Sequence, residues 1–381
     1  MVNAIIAGNR LMFRHYILFL FSESPMIDLH ADDLTISIYS DRYSHYRPLN
    51  VRKILSEAPD PAAVKYDAWD KALPLQTSIP DARDKAIGAL VGLAVGNAVG
   101  ATLAFQARDR YRVSDLVGGG IFGLKAGEWT GDTSMMLCLA ETYLQNNTLD
   151  FKGFRNRLVR WYKRGENSSN GICFDIGNTT RFALEQYLQH GETWMGNTEK
   201  NTAGNAALVR EAPVAIFRRK TVRGIWFDSQ AQSQATHGTT ESLSACFFLG
   251  LLLNHLIYGY DKEKTFLPHI VPLASRVLII NAGEYKQKTR DQIRSSAYVI
   301  DTLEAAMWAV WNTDNFRDAI LLAANLGDDA DSVAATAGQI AGALYGYAGI
   351  PQEWKDKLVQ HKRIANITGE LFDHAPDKDF L

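Results

Sequence analysis

Two segments of the chain combine helical periodicity with an excess of small residues. They are GALVGLAVGNAVGA at 88–101 and AATAGQIAGALYG at 334–346. Glycine and alanine recur at intervals of three and four residues, which places them along one face of a helix. Neither segment has the polar face of a surface helix. Because small side chains let helix backbones approach closely, we expect both segments in the buried centre of the fold.

The chain after residue 80 has the same helical character throughout. Alanine- and leucine-rich stretches alternate with glycine clusters, without a strand pattern of comparable length or an internal repeat. Apolar residues make up 46% and charged residues 22% of the chain, as in packed globular proteins. The sequence predicts an all-α, compact multi-helix domain over 81–381. Its helices are predicted at 84–100, 133–146, 150–163, 178–189, 204–216, 240–258, 263–281, 295–312, 315–324, 332–347 and 351–362.

Residues 1–80 differ in composition and form an N-terminal extension. DLTISIYS at 33–40 alternates like a short strand, and the proline-containing segments APDP and SIP are typical of a linker. Two interpretations remain open, an inert linker and an interaction arm that binds a partner protein. The second depends on side chains of the kinds enriched at interfaces, namely Tyr43, His45, Tyr46 and Arg47.

Charge and cysteine content narrow the cellular setting. A formal net charge of -2 gives no basic excess for nucleic acid or an anionic membrane. The longest apolar runs, 16–21 and 245–253, are shorter than the ~20 residues that cross a bilayer. Cys138, Cys173 and Cys246 lie in or beside apolar stretches, as reduced buried thiols do. We therefore predict a cytoplasmic protein that binds neither nucleic acid nor membrane.

The segment NLGDDADSVAATAGQ at 325–339 holds the densest group of oxygen ligands. Asp329 and Asp331 are two residues apart, and Ser332 follows at the start of a predicted helix. Carboxylates and hydroxyls in this spacing suit a hard divalent cation such as Mg²⁺ or Mn²⁺. The alternative is that Asp331 or Ser332 only caps the helix, a role that both residue types favour.

A second loop, GEWTGDTSMMLCLAE at 127–141, places Thr130 and Asp132 before a helix that is apolar nearly all round. A buried, unpaired carboxylate is costly, so Asp132 must be paired, capped or bound to metal. Two such acidic loops in one chain indicate one shared metal centre.

Three further segments have the pattern of ligand contacts at helix starts. They contain Gly204 and Asn205 in AGNAALVREAP, Asp175 in FDIGNTTRFAL, and His237 in ATHGTTES. Backbone N–H groups before a helix are suited to hold a phosphate, which favours the first segment. Each segment also fits ordinary cap or turn chemistry, so both interpretations stay open at this point.

In their order along the chain, these motifs resemble those of the ADP-ribosylglycohydrolase family, the relatives of dinitrogenase reductase-activating glycohydrolase. The resemblance covers about 84–362 and includes GALVGLAVGNAVG. It implies an all-α enzyme with two divalent metal ions, usually Mg²⁺ or Mn²⁺. The implied reaction removes ADP-ribose from a protein side chain, most often arginine, so the implied partner is an ADP-ribosylated protein.

The resemblance also implies roles for individual residues. The implied metal ligands are Thr130, Asp132, Asp329, Asp331 and Ser332. The implied substrate-binding residues are Gly204, Asn205, Ala206 and His237. Asp132 is our candidate for the catalytic carboxylate that takes a proton from the attacking water.

Three positions depart from the family pattern. Asn97 replaces the aspartate of GDALG, Ala104 replaces a glutamate, and Gly131 replaces the first aspartate of TDDT. Acidic groups that usually bind the metal ions or their water are therefore missing, and Glu128 is the nearest replacement by sequence. We expect one or two ions, with weakened binding of at least one.

Two functions follow from these features. The first is a hydrolase that reverses ADP-ribosylation, with a possible role as an immunity protein, or antitoxin, against an ADP-ribosyltransferase toxin. The second is a catalytically weakened binding protein that neutralises the transferase by occlusion with its N-terminal arm. The resemblance extends to immunity proteins that accompany such toxins, some of which carry an added segment that plugs the toxin's active site.

Overall fold

The computed structural model describes residues 72–193 and 195–377. Regular structure in these residues consists of helices, short 3-10 turns and isolated backbone bridges, without a strand. The all-α prediction is therefore confirmed. The helices are α1 (Ile79–Gly100), α2 (Gly131–Asn146), α3 (Phe151–Arg164), α4 (Asn178–His190), α5 (Ala212–Phe217), α6 (Val222–Gln234), α7 (Thr240–Ile257), α8 (Lys262–Thr265), α9 (Ser275–Asn281), α10 (Val299–Trp311), α11 (Phe316–Ala324), α12 (Ala330–Tyr345), α13 (Gln352–Lys357) and α14 (His361–Asp373).

Two predicted helices are wrong in extent because proline limits them. The helix predicted at 204–216 begins only at α5, where Pro213 occupies the first turn, the one helical position that suits proline. The helix predicted at 263–281 is divided into α8 and α9. Pro268 and Pro272 lie in the interval between them and cannot continue a helix.

The structure differs from the predicted helices in two further places, one where a predicted helix is divided and one where an additional helix is present. The helix predicted at 351–362 ends with α13, because Leu358 has an extended backbone, ψ 123°. Gln360, in a left-handed conformation with φ 56°, then separates it from α14. Helix α6 was not predicted from the sequence. It lacks an apolar period, since its buried face includes the polar side chains of Ser229, Gln232 and Ser233.

The centre of the fold is the crossing of α1 and α12. A Cβ atom added to any of four α1 glycines would lie well under 3.0 Å from the α12 backbone, so the two backbones are in contact. The contacts run in opposite directions along the two helices, which makes the helices antiparallel and brings the end of α1 to the start of α12. The pairs are Gly88 with Gly342, Gly92 with Gly338, Gly96 with Ala334, and Gly100 with Ala330.

Other helices enclose this pair. Helices α10 and α11 pack on α12, and α14 packs on α1. Helix α2 is buried at every position from Gly131 to Ala140, as its apolar composition predicted. Asp132, in the first turn of α2, therefore lies inside the protein.

Two helical segments, residues 79–103 and α7, are long and apolar enough to cross a membrane. Their most apolar stretches are 89% and 78% buried inside the described structure, so core packing accounts for their composition. Of the cysteines, Cys138 and Cys246 are buried free thiols, whereas Cys173 is only partly buried.

The proposed interaction arm falls largely outside the described residues. Of the extension predicted at 1–80, the structure describes only 72–80. Tyr43, His45, Tyr46 and Arg47 lie outside the described residues, and their interface role stays a prediction.

Replacing Gly342 with alanine tests the importance of the backbone contact. We expect Gly342→Ala to lower the free energy of unfolding by at least about 3 kcal/mol, because the added methyl group forces α1 and α12 apart. Urea unfolding measures this. The control is Gly177→Ala, whose Cβ would have nothing within 4 Å and should cost about 1 kcal/mol or less. Equal losses for the two variants would contradict the interpretation.

Candidate active site

The loop before α2 is bonded to both central helices through Thr130. Its backbone N–H donates to Asn97 Oδ1 at 2.9 Å, and Asn97 Nδ2 donates to Thr130 Oγ1 at 2.9 Å. The Thr130 hydroxyl in turn donates to Asp331 Oδ2, 2.8 Å away at the start of α12. Two of the predicted ligands, 201 residues apart in sequence, are therefore in direct contact.

Asn97 uses its entire side-chain amide in this network. Its Oδ1 also accepts from Thr133 Oγ1 at 2.9 Å, and its Nδ2 lies 3.4 Å from Asp132 Oδ2. An aspartate at this position would lose both N–H donors and add a charge beside Asp132. The residue that looks like a missing ligand in the sequence is thus a neutral donor that holds the loop in place.

Ser332 and Asn205 support the other two predicted carboxylates. The Ser332 hydroxyl lies within hydrogen-bond reach of both Asp132 and Asp329, and its one hydrogen favours the charged form of the carboxylate that accepts it. Asn205 Nδ2 donates to Asp329 Oδ2 at 2.6 Å and to Thr302 Oγ1 at 2.9 Å. The two acidic loops therefore meet, as the sequence predicted.

A fourth carboxylate, Asp175, joins the same group. Asp175 itself has a left-handed backbone conformation, with φ 54°. Its side chain hydrogen-bonds with that of Asp331. The sequence predicts Asp175 as a ligand contact before a helix but not as a member of the metal site. Asp132, Asp175, Asp329 and Asp331 are called the carboxylate cluster below.

Burial dominates the electrostatics of the carboxylate cluster. It raises the pKa of all four carboxyl groups, because loss of water disfavours their charged forms. The charge of Asp331 raises the pKa of each of the other three further. Asp331 Oδ1 is buried and has no hydrogen-bond partner among the described residues. The cluster therefore requires protons or a cation to neutralise it.

The carboxylate cluster is not arranged as a preformed metal site. Within 72–193 and 195–377, no three His, Cys, Asp or Glu side chains are placed to bind one ion together. Asp329 turns an oxygen to Asn205, and Asp331 turns one to Thr130. An ion that bound both carboxylates through these oxygens would replace those hydrogen bonds.

The turn predicted to bind phosphate uses its N–H groups internally. The N–H groups of Gly204 and Asn205 donate to backbone carbonyls at 2.8 and 3.1 Å. A short 3-10 turn, Leu208–Arg210, follows instead of the expected helix. The expected phosphate cradle of these two N–H groups is therefore not free, and the turn offers the site the Asn205 side chain and the partly buried Ala206.

His237 lies beside the same turn, since a Cβ on Gly204 would be 3.1 Å from His237 Nε2. The other ring nitrogen, Nδ1, lies 2.8 Å from Thr236 Oγ1, which accepts from Arg210 Nη2 at 2.9 Å. Because a guanidinium only donates, the Thr236 hydroxyl hydrogen is left for Nδ1, and we assign the ring proton to Nε2. Burial, and then the charge of Arg210, lower the pKa of His237 to about 3, so the ring is neutral.

The structure explains one sequence departure, Gly131, and the position of the suggested replacement acid, Glu128. A Cβ at Gly131 would lie 2.9 Å from the buried Trp161 ring and 3.0 Å from Asp175 O, so the indole occupies the space of a side chain at 131. Glu128, the suggested replacement acid, is not brought to the cluster, because its Oε2 accepts from Lys125 N–H at 2.7 Å within its own turn. The additional acid in the structure is Asp175.

The fold and the carboxylate cluster define an all-α protein with a buried acidic site at the meeting point of its central helices. The family model described as ADP-ribosylglycohydrolase matches residues 78–379. The chain belongs to this family.

Three curated relatives extend the comparison. Two are named ADP-ribosylarginine hydrolase Tri1. The protein of Serratia proteamaculans (strain 568) is 59% identical, and the match covers 93% of this chain and 100% of that protein. The protein of Pseudomonas putida (strain GB-1) is 52% identical, and the match covers 93% of this chain and 98% of that protein. The ADP-ribosyl-[dinitrogen reductase] glycohydrolase of Rhodospirillum rubrum is 33% identical over 73% of this chain and 92% of its own.

A solved structure has the same fold. It is described as an ADP-ribosylglycohydrolase-related protein complex, with a TM-score of 0.69 and 31% sequence identity. The match covers 78% of this chain and 100% of that one.

Substitution of Thr236 tests the assignment of the His237 ring proton to Nε2. Thr236→Val keeps the shape but removes the partner of two buried groups, so we expect a loss of about 1–3 kcal/mol in the free energy of unfolding. We also expect a mixture of His237 tautomers, detected by the ¹⁵N shifts of the ring. Thr236→Ser, which keeps the hydroxyl, should retain the Nε2–H form. An unchanged ring spectrum in Thr236→Val would refute the assignment.

Proposed function

We propose that the protein hydrolyses the bond between ADP-ribose and a modified arginine side chain of a protein. The single observation that carries this proposal is the carboxylate cluster, in which two distant acidic loops meet. Relatives that match 93% of this chain are named for that activity, which supports the choice of arginine.

The reaction breaks an N-glycosidic bond. Water adds to the anomeric carbon of the ribose, and the bond from that carbon to the guanidinium nitrogen breaks. The leaving nitrogen takes up the proton that the water loses. Asp132 is the group that we assign to take the proton of the water. Gly204, Asn205 and Ala206 form the turn beside the ribose and diphosphate. Asn205 holds Asp329 with its amide, and the neutral His237 supplies a hydrogen-bond donor there.

We further propose that the reaction depends on Mg²⁺ or Mn²⁺. Thr130, Asp132, Asp329, Asp331 and Ser332 would hold the metal, and all five supply the oxygen ligands that these ions prefer. The raised pKa values and the unpartnered Asp331 Oδ1 fit a cation in this place. When bound, the metal supplies Lewis acidity that lowers the pKa of water.

Fewer than two tightly bound ions are expected. Asn97 presents N–H donors, which repel a cation, where the family pattern has a carboxylate. At Gly131 the indole of Trp161 leaves no room for an acidic side chain. Asp175 compensates for only part of this loss of charge.

Asp331→Asn tests the hydrolase proposal. It keeps the size of the side chain but removes its charge, so we expect Mg²⁺-dependent release of ADP-ribose from arginine-modified protein to fall about 100-fold. The matched control is Asp328→Asn. Asp328 is an exposed neighbour whose left-handed backbone suits asparagine, so this variant should keep activity within about threefold.

The same preparations test the metal proposal. Calorimetric titration of the wild type with Mg²⁺ should reveal at most one tight site, which Asp331→Asn loses. Two tight sites would contradict the expected weakening, and equal release by Asp331→Asn and wild type would remove the hydrolase proposal.

We propose as a second role that the protein is a cytoplasmic immunity protein that occludes an ADP-ribosyltransferase toxin with its N-terminal arm. One observation favours a task for the extension. The match to the Tri1 relatives covers 93% of this chain, more than residues 78–379 contain, so it includes part of the extension. The R. rubrum relative, by contrast, covers only 73%.

Substitution of Tyr43, Tyr46 and Arg47 together by alanine in the full chain tests the arm. We expect affinity for a transferase that modifies arginine to fall at least about tenfold, because anchor side chains carry most of the binding energy. Hydrolysis of modified protein should stay within about twofold. Asp331→Asn is the reciprocal variant, which should bind the transferase but not hydrolyse. Wild-type affinity in the triple variant would exclude this arm.

A further inference from the structure

Large apolar side chains are exposed on three loops, two of which adjoin the carboxylate cluster. Phe105, Ile121 and Ile172 are 55%, 61% and 62% exposed. Phe122 and Phe174, on two of the same loops, are half-buried. We call these five residues the apolar collar. Exposed apolar groups are ordinary when scattered singly, but a contiguous group next to a site marks an interaction surface.

Aromatic contacts join the loops of the collar into one surface. The rings of Phe105 and Phe122 meet edge to face with their centroids 6.1 Å apart. Phe122 also contacts Phe174, with a centroid distance of 5.4 Å. Such pairs have a preferred geometry, so the collar has a defined shape.

The collar is continuous with the carboxylate cluster. The N–H of Phe105 donates to Asp328 O at 2.7 Å, and Asp328 immediately precedes Asp329. Phe174 immediately precedes Asp175, whose carboxyl group bonds to Asp331. Two of the collar loops are therefore anchored on residues of the cluster or their direct neighbours.

The backbone of Phe105 adds an independent observation. Its φ is 60°, in the left-handed region that a bulky side chain rarely adopts. Asp175 and Asp328 share this conformation, with φ values of 54° and 57°. Strain of this kind collects at functional sites, and here it presents an aromatic ring to solvent, where the ring gains little from packing.

We propose that the apolar collar docks the polypeptide on either side of the modified arginine. This rests on the proposed hydrolase function and adds the part of the substrate that lies outside the nucleotide. The five collar residues carry no charge, so they offer nothing to the diphosphate of ADP-ribose. Asp175 is the one carboxylate of the cluster that is not assigned to the metal, so it is the acceptor that suits the guanidinium group. Phe174 immediately precedes Asp175, which places the polypeptide neighbours of that arginine at the collar.

The collar makes the enzyme distinguish modified protein from free ADP-ribosylarginine. Both substrates present the same N-glycosidic bond to the carboxylate cluster. Only the protein has neighbouring residues that can contact the exposed rings. The difference is therefore expected in kcat/KM for the protein substrate.

The test compares these two substrates. kcat/KM is measured for ADP-ribosylated protein and for free ADP-ribosylarginine with Phe105→Ala, Phe105→Gly and Phe122→Ala. Phe105→Gly suits the left-handed backbone and guards against misfolding. Phe105→Tyr keeps an aromatic face, and Leu267→Ala removes an exposed apolar side chain that is 58% exposed outside the collar.

We expect the three ring-removing variants to lose at least about tenfold more kcat/KM on modified protein than on free ADP-ribosylarginine. Phe105→Tyr and Leu267→Ala should show no such difference. Equal losses on both substrates, or no loss, would overturn the collar proposal. So would a wild-type dimer that dissociates on Phe105→Ala, since a second copy would then be the occupant. If the wild type releases ADP-ribose from neither substrate, the proposed function fails first.

Discussion

The backbone contact between α1 and α12 is the constraint on which the rest of the structure depends. Glycines remove the side chains that would hold the helices apart, and the antiparallel direction brings the end of α1 to the start of α12. Asn97 and Asp331 meet there, one from each helix, and Thr130 bonds to both. The location of the site thus follows from helix packing. The acidic residues, which repel one another, are assembled by it.

Neutral hydrogen-bond donors partly stabilise the buried carboxylates of the cluster, but burial of these groups remains unfavourable. Asn97, Thr130, Asn205 and Ser332 each hydrogen-bond to a carboxylate of the cluster. The pKa values of the cluster are nevertheless raised, so desolvation and mutual repulsion outweigh these bonds. The rest of the core must therefore supply stability that the site does not, a trade that is common at functional sites.

Most of the fold was predictable from the sequence because helix formation and burial leave local patterns. Helix α6 was not, because its buried polar face has no apolar period. The meeting of Asp132 with Asp329 was also predictable, from two acidic loops that each required a partner. The places of Asp175 and Asn97 were not, since hydrogen bonds between distant loops depend on directions that no local pattern records. Proximity in sequence misled us at Glu128, whose carboxylate stays within its own turn.

The ring of Trp161 has a consequence for how this chain can evolve. It fills the space of a side chain at 131, so an aspartate cannot arise there by one tolerated substitution. The ring must be replaced first, and that step leaves a cavity that costs about 3–5 kcal/mol. Each of these single steps is therefore destabilising. Glycine at 131 and the indole at 161 thus constrain each other, since neither residue can be changed alone without a loss of stability.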